Sequence, residues 1–309
     1  MKLYKLCILL VSCLVYCSCN DEADTVNGTG TENGELAALT VKTDISPALR
    51  STKSGTISSF TDDSQLGLFI SLDGDVDHIF DRYGTGRNVC SIYKYGNWHQ
   101  QPGVMLDNIP VRVFAYYPFN PENHYPRQIP VEHTSQTDYL YGTHAIGWTE
   151  VNKHNPEVKL AMKHALSLVQ FHISGLGADY VDYIEIINLM PGITGLHSRG
   201  TLDISTGEVS CDESSDEGVR WENNGSYYPG MQEGINMMVM PTAVTTAGSV
   251  AVHFKIDGEP YIWIVPEGTS WKSGTRNTYH MQVIGKELHV RDVFIEPWLP
   301  GIEEVHPLM

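Results

Sequence analysis

No run of about eighteen consecutive apolar residues occurs among the 309 positions of the chain, so no segment reads as a membrane-spanning helix. Positive charge is also short: 20 lysines and arginines face 37 aspartates and glutamates, for a formal net charge of −17. A protein that neutralises phosphates needs the opposite balance, which excludes nucleic acid as a partner. Cysteine is scarce. Of six, Cys7, Cys13 and Cys17 lie in the first eighteen residues and Cys19 follows at once, leaving Cys90 and Cys211 far apart. Such a pair is no disulfide framework, and both read as buried small hydrophobes. The thirteen histidines include no H-E-x-x-H and no zinc spacing with cysteine. There is no G-x-S-x-G elbow, no P-loop and no legible nucleophile–base pair. A hydrolase reading has nothing to rest on, and no cofactor is expected.

What is present begins at the N-terminus. Lys2 and Lys5 precede the apolar run "LCILLVSCLVY", the layout of a secretory signal peptide. Ser18 and Cys19 follow. A small residue before a cysteine at this place resembles the lipobox of a bacterial lipoprotein, where the thiol is acylated and cleavage leaves that cysteine at the N-terminus. Cys17 fits less well, because bulky Tyr16 precedes it. The expectation is a signal peptide over 1–18 and lipid on Cys19, with each buried methylene of an acyl chain supplying about 0.8 kcal/mol of membrane affinity. Removing 1–18 takes away two lysines and no acid, moving the net charge from −17 to −19. "NDEAD", with Asp21, Glu22 and Asp24, resembles the export signal of surface-exposed lipoproteins in Gram-negative anaerobes. Residues 19–35 are polar and glycine-rich and read as a flexible tether.

Beyond the tether the pattern is that of strands with turn punctuation. "LTVKT", "LGLFISL", "VCSIYKY", "VRVFAYYP", "SLVQFHI", "YIEIINL", "INMMVMP", "VAVHFKI", "YIWIVP" and "YHMQVI" are rich in β-branched and aromatic residues, and most alternate. "YKYGNWHQ" reads as a hairpin with Gly96 and Asn97 carrying the positive φ. A helix competes with strands only around "LAMKHALSL". The chain therefore reads as all-β, most simply two sandwiches, with domains at 36–155 and 156–309 and a boundary near "NKHNPE".

"IPVRVFAYYPFNP", "QTDYLYGT", "VKLAMKHALSLVQFHI", "GTLDISTGEV" and "LHVRDVFIEPW" occur in the order seen in the fimbrillin family, the lipoprotein precursors of fimbriae. The resemblance spans nearly the whole mature chain. It implies two tandem Greek-key or transthyretin-like β-sandwich domains after a lipidated tether, and a structural or adhesive fimbrial subunit without catalysis. It also implies a protease cut after Arg50, before Ser51, that removes the first strand (Leu39, Val41, Thr43) and opens a groove. A strand from another fimbrial subunit then fills the groove by donor-strand complementation. The tail 299–309 carries two prolines and makes a poor donor strand, which suits a terminal or accessory subunit. Expected partners are other fimbrial subunits, the outer membrane through Cys19, and a surface receptor or glycan.

The motifs also have plain structural readings. In "VRVFAYYP" Val111, Val113, Ala115 and Tyr117 share one face and Phe114 and Tyr116 the other. Tyr139 and Tyr141 share a strand face, His164 reads as a hydrogen-bonded core histidine, Gly207 as a turn residue, and Trp298 as the closure of the second core. Asp73, Asp75 and Asp77 have the first spacings of a calcium loop, but His78 replaces its glycine and Gly84 its glutamate. Glu303 and Glu304 lie in a polar tail. A glycan-binding lipoprotein of a polysaccharide-uptake system is the alternative. Its candidate platforms are Trp98, Trp148, Trp221, Trp271, Tyr227 and Tyr228, of which Trp98 is better read as core.

Overall fold

The computed structural model describes residues 35–44, 57, 59–144, 150–175, 178–190, 195–225, 227–231 and 233–298. Cys19, Arg50, Ser51, Trp148, Glu303 and Glu304 lie outside them. Every regular element described is a strand. The first nine are β1 (Ala37–Ala38), β2 (Thr40–Asp44), β3 (Gln65–Leu72), β4 (Val89–Lys94), β5 (Asn97–Gln101), β6 (Met105–Leu106), β7 (Val111–Tyr117), β8 (Ile129–Glu132) and β9 (Leu140–Thr143). Next come β10 (Glu157–His164), β11 (Ser167–Gly175), β12 (Val181–Asn188), β13 (Arg199–Leu202), β14 (Val209–Cys211), β15 (Val219–Glu222) and β16 (Ile235–Val239). The chain continues with β17 (Thr242–Ala243), β18 (Val250–Ile256), β19 (Glu259–Ile264), β20 (Ser270–Trp271), β21 (Thr275–Ile284) and β22 (Glu287–Pro297).

A seven-stranded sheet runs in the order β2-β10-β9-β7-β3-β4-β5. β10 settles the helix-or-strand question: Val158, Leu160, Met162 and His164 are buried while the residues between them are exposed, a period of two. β3 is buried on both faces because it is a central strand with apolar layers above and below, Leu66, Leu68 and Ile70 on one side and Phe69 on the other. β7 divides as its alternation predicts. Val111, Val113 and Ala115 join one core, and Phe114 and Tyr116 another. Gly67 is required where it stands, since a Cβ there would lie 2.0 Å from the Tyr116 ring. The β4–β5 hairpin turns on Tyr95 (φ 52) and Gly96 (φ 82), while Asn97 already pairs with Lys94. The positive φ thus falls one residue earlier than expected, because a two-residue turn leaves Asn97 in the ladder.

Two four-stranded sheets, β16-β11-β21-β22 and β15-β12-β18-β19, enclose a second core. Phe171 meets Phe254 edge-on at 5.3 Å, and buried Trp271 donates from Nε1 to Tyr279 Oη at 2.8 Å. β10 belongs to the seven-stranded sheet, so the passage to the next sheet falls at residues 165–166. A third core draws on both halves of the chain: Phe69, Phe114 and Ile129 pack with Leu202, Met238, Met240 and Trp298. A small sheet, β14-β13-β8, likewise joins β8 to strands seventy residues further on. Trp298 therefore seals this shared cluster rather than the second core, because Gly274 holds its backbone N–H at 2.7 Å and turns its ring onto His164.

Candidate functional site

Residues 39–44 pack along one edge of the seven-stranded sheet. Leu39 and Val41 are each only 3% exposed, packed in the core of the seven-stranded sheet with Val158, Leu160 and Leu106. Alternation makes this possible, since Thr40, Lys42 and Asp44 turn outward. β2 lies at the sheet edge and pairs in parallel with β10, from Thr40 opposite Glu157 to Asp44 opposite Ala161. Lys42 and Glu157 (2.8 Å) and Lys159 and Asp44 (2.5 Å) form ion pairs along the seam. At its other side Trp98 donates from Nε1 to Thr43 Oγ1 at 3.1 Å. Surface ion pairs of this kind contribute about 0–1 kcal/mol each, so the buried side chains dominate the attachment.

The chain is next described at Ile57, and there it is fixed. Its backbone N–H donates to Asp138 Oδ2 at 2.7 Å, while Asp138 Oδ1 lies 2.8 Å from His164 Nδ1. Both side chains are almost wholly buried, and Trp298 stacks on the His164 ring at 3.8 Å with 2° between planes. His164 is the hydrogen-bonded core histidine expected. Phe60 then packs edge-on against Trp98 at 4.9 Å.

The acidic loop is partnered by an arginine. Arg127 donates to Asp77 (2.5 Å), Asp75 (3.2 Å) and Asp203 (3.0 Å), and also to Ser205 Oγ (3.1 Å). Its guanidinium thus engages Asp75 and Asp77, while Asp73 pairs with His78 Nδ1 at 2.9 Å. Among the described residues no group of three His, Cys, Asp or Glu is placed to hold a metal ion. Cys90 and Cys211 are free and half-buried rather than buried, and burial pushes both thiols up, away from the reactive thiolate. Of the platform aromatics, Trp98, Trp271 and Tyr227 are buried in cores. Trp221 is half-buried against Tyr227, and Tyr228 is exposed.

One feature was not legible in the sequence. A cleft of about 660 Å³ opens between β19 and β22, lined by Trp263, Tyr279, Val290, Val293 and Ile295, with Lys272 and Glu296 also in its lining. The signal was "DVFIEP", in which three successive apolar residues stand where alternation buries only every second one.

The fimbrillin-like family model matches residues 52–298. The fold is similar to that of a candidate cell adhesion protein from Bacteroides uniformis, at 16% identity and a TM-score of 0.62, covering 85% of this chain and 99% of that one. It is similar also to a candidate cell adhesion protein from Bacteroides ovatus, at 13% identity and a TM-score of 0.61, covering 87% and 100%. No curated protein matches the sequence.

Proposed function

The chain belongs to the fimbrillin-like family, and from that premise we propose that it is a surface lipoprotein that becomes a structural or adhesive subunit of a fimbrium. Cys19 carries the lipid, and Asp21, Glu22 and Asp24 direct the protein outward. Cleavage between Arg50 and Ser51 frees β1 and β2, and a strand from another subunit takes their place. The observation that carries this reading is the seating of residues 39–44: buried Leu39 followed by the edge strand β2 with buried Val41, and the chain fixed again at Ile57. Loss of β2 exposes Val158 and Leu160 beside the unpaired edge of β10, a groove shaped for an incoming strand. The burial of Trp98, Trp271 and Tyr227 counts against the glycan-platform alternative. As a terminal or accessory subunit the protein accepts a strand without donating its proline-bearing tail.

The test is processing followed by assembly. Trypsin-like treatment of the precursor should give a stable fragment beginning at Ser51, and Arg50→Ala should abolish both the cut and entry into fibres. Cys19→Ala should shift the precursor from membranes to soluble fractions. Fibres whose subunits all retain residues 19–50 would refute the strand-exchange reading.

A further inference from the structure

β22 spans eleven residues, the longest strand described, and among the described residues forms an open edge of its sheet. Sheet edges are normally protected by charge, proline or a covering loop. The middle of this one is not: Val293, Phe294 and Ile295 are 47%, 55% and 63% exposed. Val293 and Ile295 line the cleft against Trp263 of β19, the edge strand of the facing sheet. Phe294 lies on the opposite face, edge-on to His280 at 5.5 Å. A strand laid along the free edge of β22 would extend the sheet and send alternate side chains over the mouth of the cleft.

We propose that this strand is β22 of a second copy of the chain, paired antiparallel about a two-fold axis. An axis normal to the sheet keeps each residue on its own face, so the pairing is centred on a residue. Centring on Phe294 sets Phe294 against Phe294, and Val293 against Ile295 on both sides. Centring on Val293 would oppose Phe294 with Asp292, and centring on Ile295 would oppose it with Glu296. The apolar triplet is thus self-complementary about Phe294 and about neither neighbour. The next pair outward sets Asp292 against Glu296, whose carboxylate is already held by Arg276 through Nε at 2.7 Å. Repulsion between two chains of net charge −17 is screened beyond about 8 Å at physiological ionic strength, so association strengthens as salt is added.

Sedimentation velocity on the full chain, in one detergent throughout, tests the pairing. The wild type should dimerise, more tightly at higher salt. Phe294→Lys and Phe294→Glu, at a half-exposed position that tolerates either, should each weaken the dimer by at least about tenfold. An equimolar mixture of the two should restore it, because lysine then opposes glutamate. Arg50→Ala should dimerise like the wild type, so that strand exchange and this pairing fail separately. A wild type that stays monomeric up to about 100 µM overturns the proposal, and leaves the edge to a strand of some other polypeptide. Variants that dimerise like the wild type, or a mixture that does not recover, overturn it equally.

Discussion

If β2 is a detachable strand, truncating the two buried side chains that seat it, Leu39 just before it and Val41 within it, should loosen it without unfolding the rest. Leu39 and Val41 are both nearly inaccessible. Leu→Ala in a core costs about 2–5 kcal/mol, and a sheet edge that can close over the gap belongs at the lower end, about 2.5. Val41→Ala removes two methyl groups, about 1.5 kcal/mol. Contacting sites do not add strictly, so the double variant should lose about 3–4 kcal/mol of local stability. At 1.4 kcal/mol per factor of ten, that opens β2 several hundredfold more often. Hydrogen exchange resolved by residue is the assay. The backbone amides of 40–44 should speed up by that factor, while those of β3 and β7, at the centre of the sheet, change by less than tenfold. Amides of β2 and β3 that accelerate together would show that β2 opens only with the whole sheet, and the strand-release argument would fall.

Acid should weaken the pair of four-stranded sheets. Burial, and then His280 and Arg276, hold His172 down to about 4, so the folded state keeps it neutral while the unfolded chain takes up a proton near pH 6.5. Stability is therefore full above about pH 6.5 and declines as pH falls toward 4. His172→Gln should flatten the thermal melting profile across that window, and an unchanged slope would refute the assignment. Trp298→Ala removes the ring stacked on His164 and should cost about 3 kcal/mol in urea unfolding, at the low end for a buried aromatic because Trp298 closes an edge. Trp298→Phe should recover more than half of that, and a cost under about 1 kcal/mol for the alanine variant would mean the stack is incidental.

Alternation made much of the fold readable. It assigned the two faces of β7 and the seat of Leu39 and Val41, whereas around β10 it left helix and strand in competition until burial of every second residue decided for the strand. What it could not supply is pairing across long separations. The parallel union of β2 with β10, the clasp of Arg127 on Asp203 and the stack of Trp298 on His164 each join residues tens to hundreds of positions apart. Local pattern carries no information on such partners, and so Trp298 was assigned to the wrong core, and the acidic loop, a poor match to a calcium loop, was left without its arginine partner. The cleft was hidden for a related reason: a strand period says which residues face inward, but not whether the facing sheet extends far enough to cover them.

The same geometry limits where the chain can be cut without loss of the fold. Leu39 and Val41 are held by apolar contact, and the backbone around them by the β1–β6 pairing, the Leu39 N–H bond to Val104 O and the parallel ladder of β2 with β10, bonds of the kind a competing strand offers. Ile57 is held by a hydrogen bond to Asp138, a buried carboxylate shared with His164, and no incoming apolar strand offers a substitute for that. Removal of residue 57 would leave a buried acceptor without its donor, a cost of about 1–3 kcal/mol or more for a charged group. If β1 and β2 separate, the cut that spares the Asp138 anchor lies between Asp44 and Ile57. Within those bounds Arg50 is the sole arginine, with Lys53 three residues on. A protease specific for arginine would then release β1 and β2 and spare the Asp138 anchor, whereas a cut beyond Ile57 should yield a fragment that melts at lower temperature than the one beginning at Ser51.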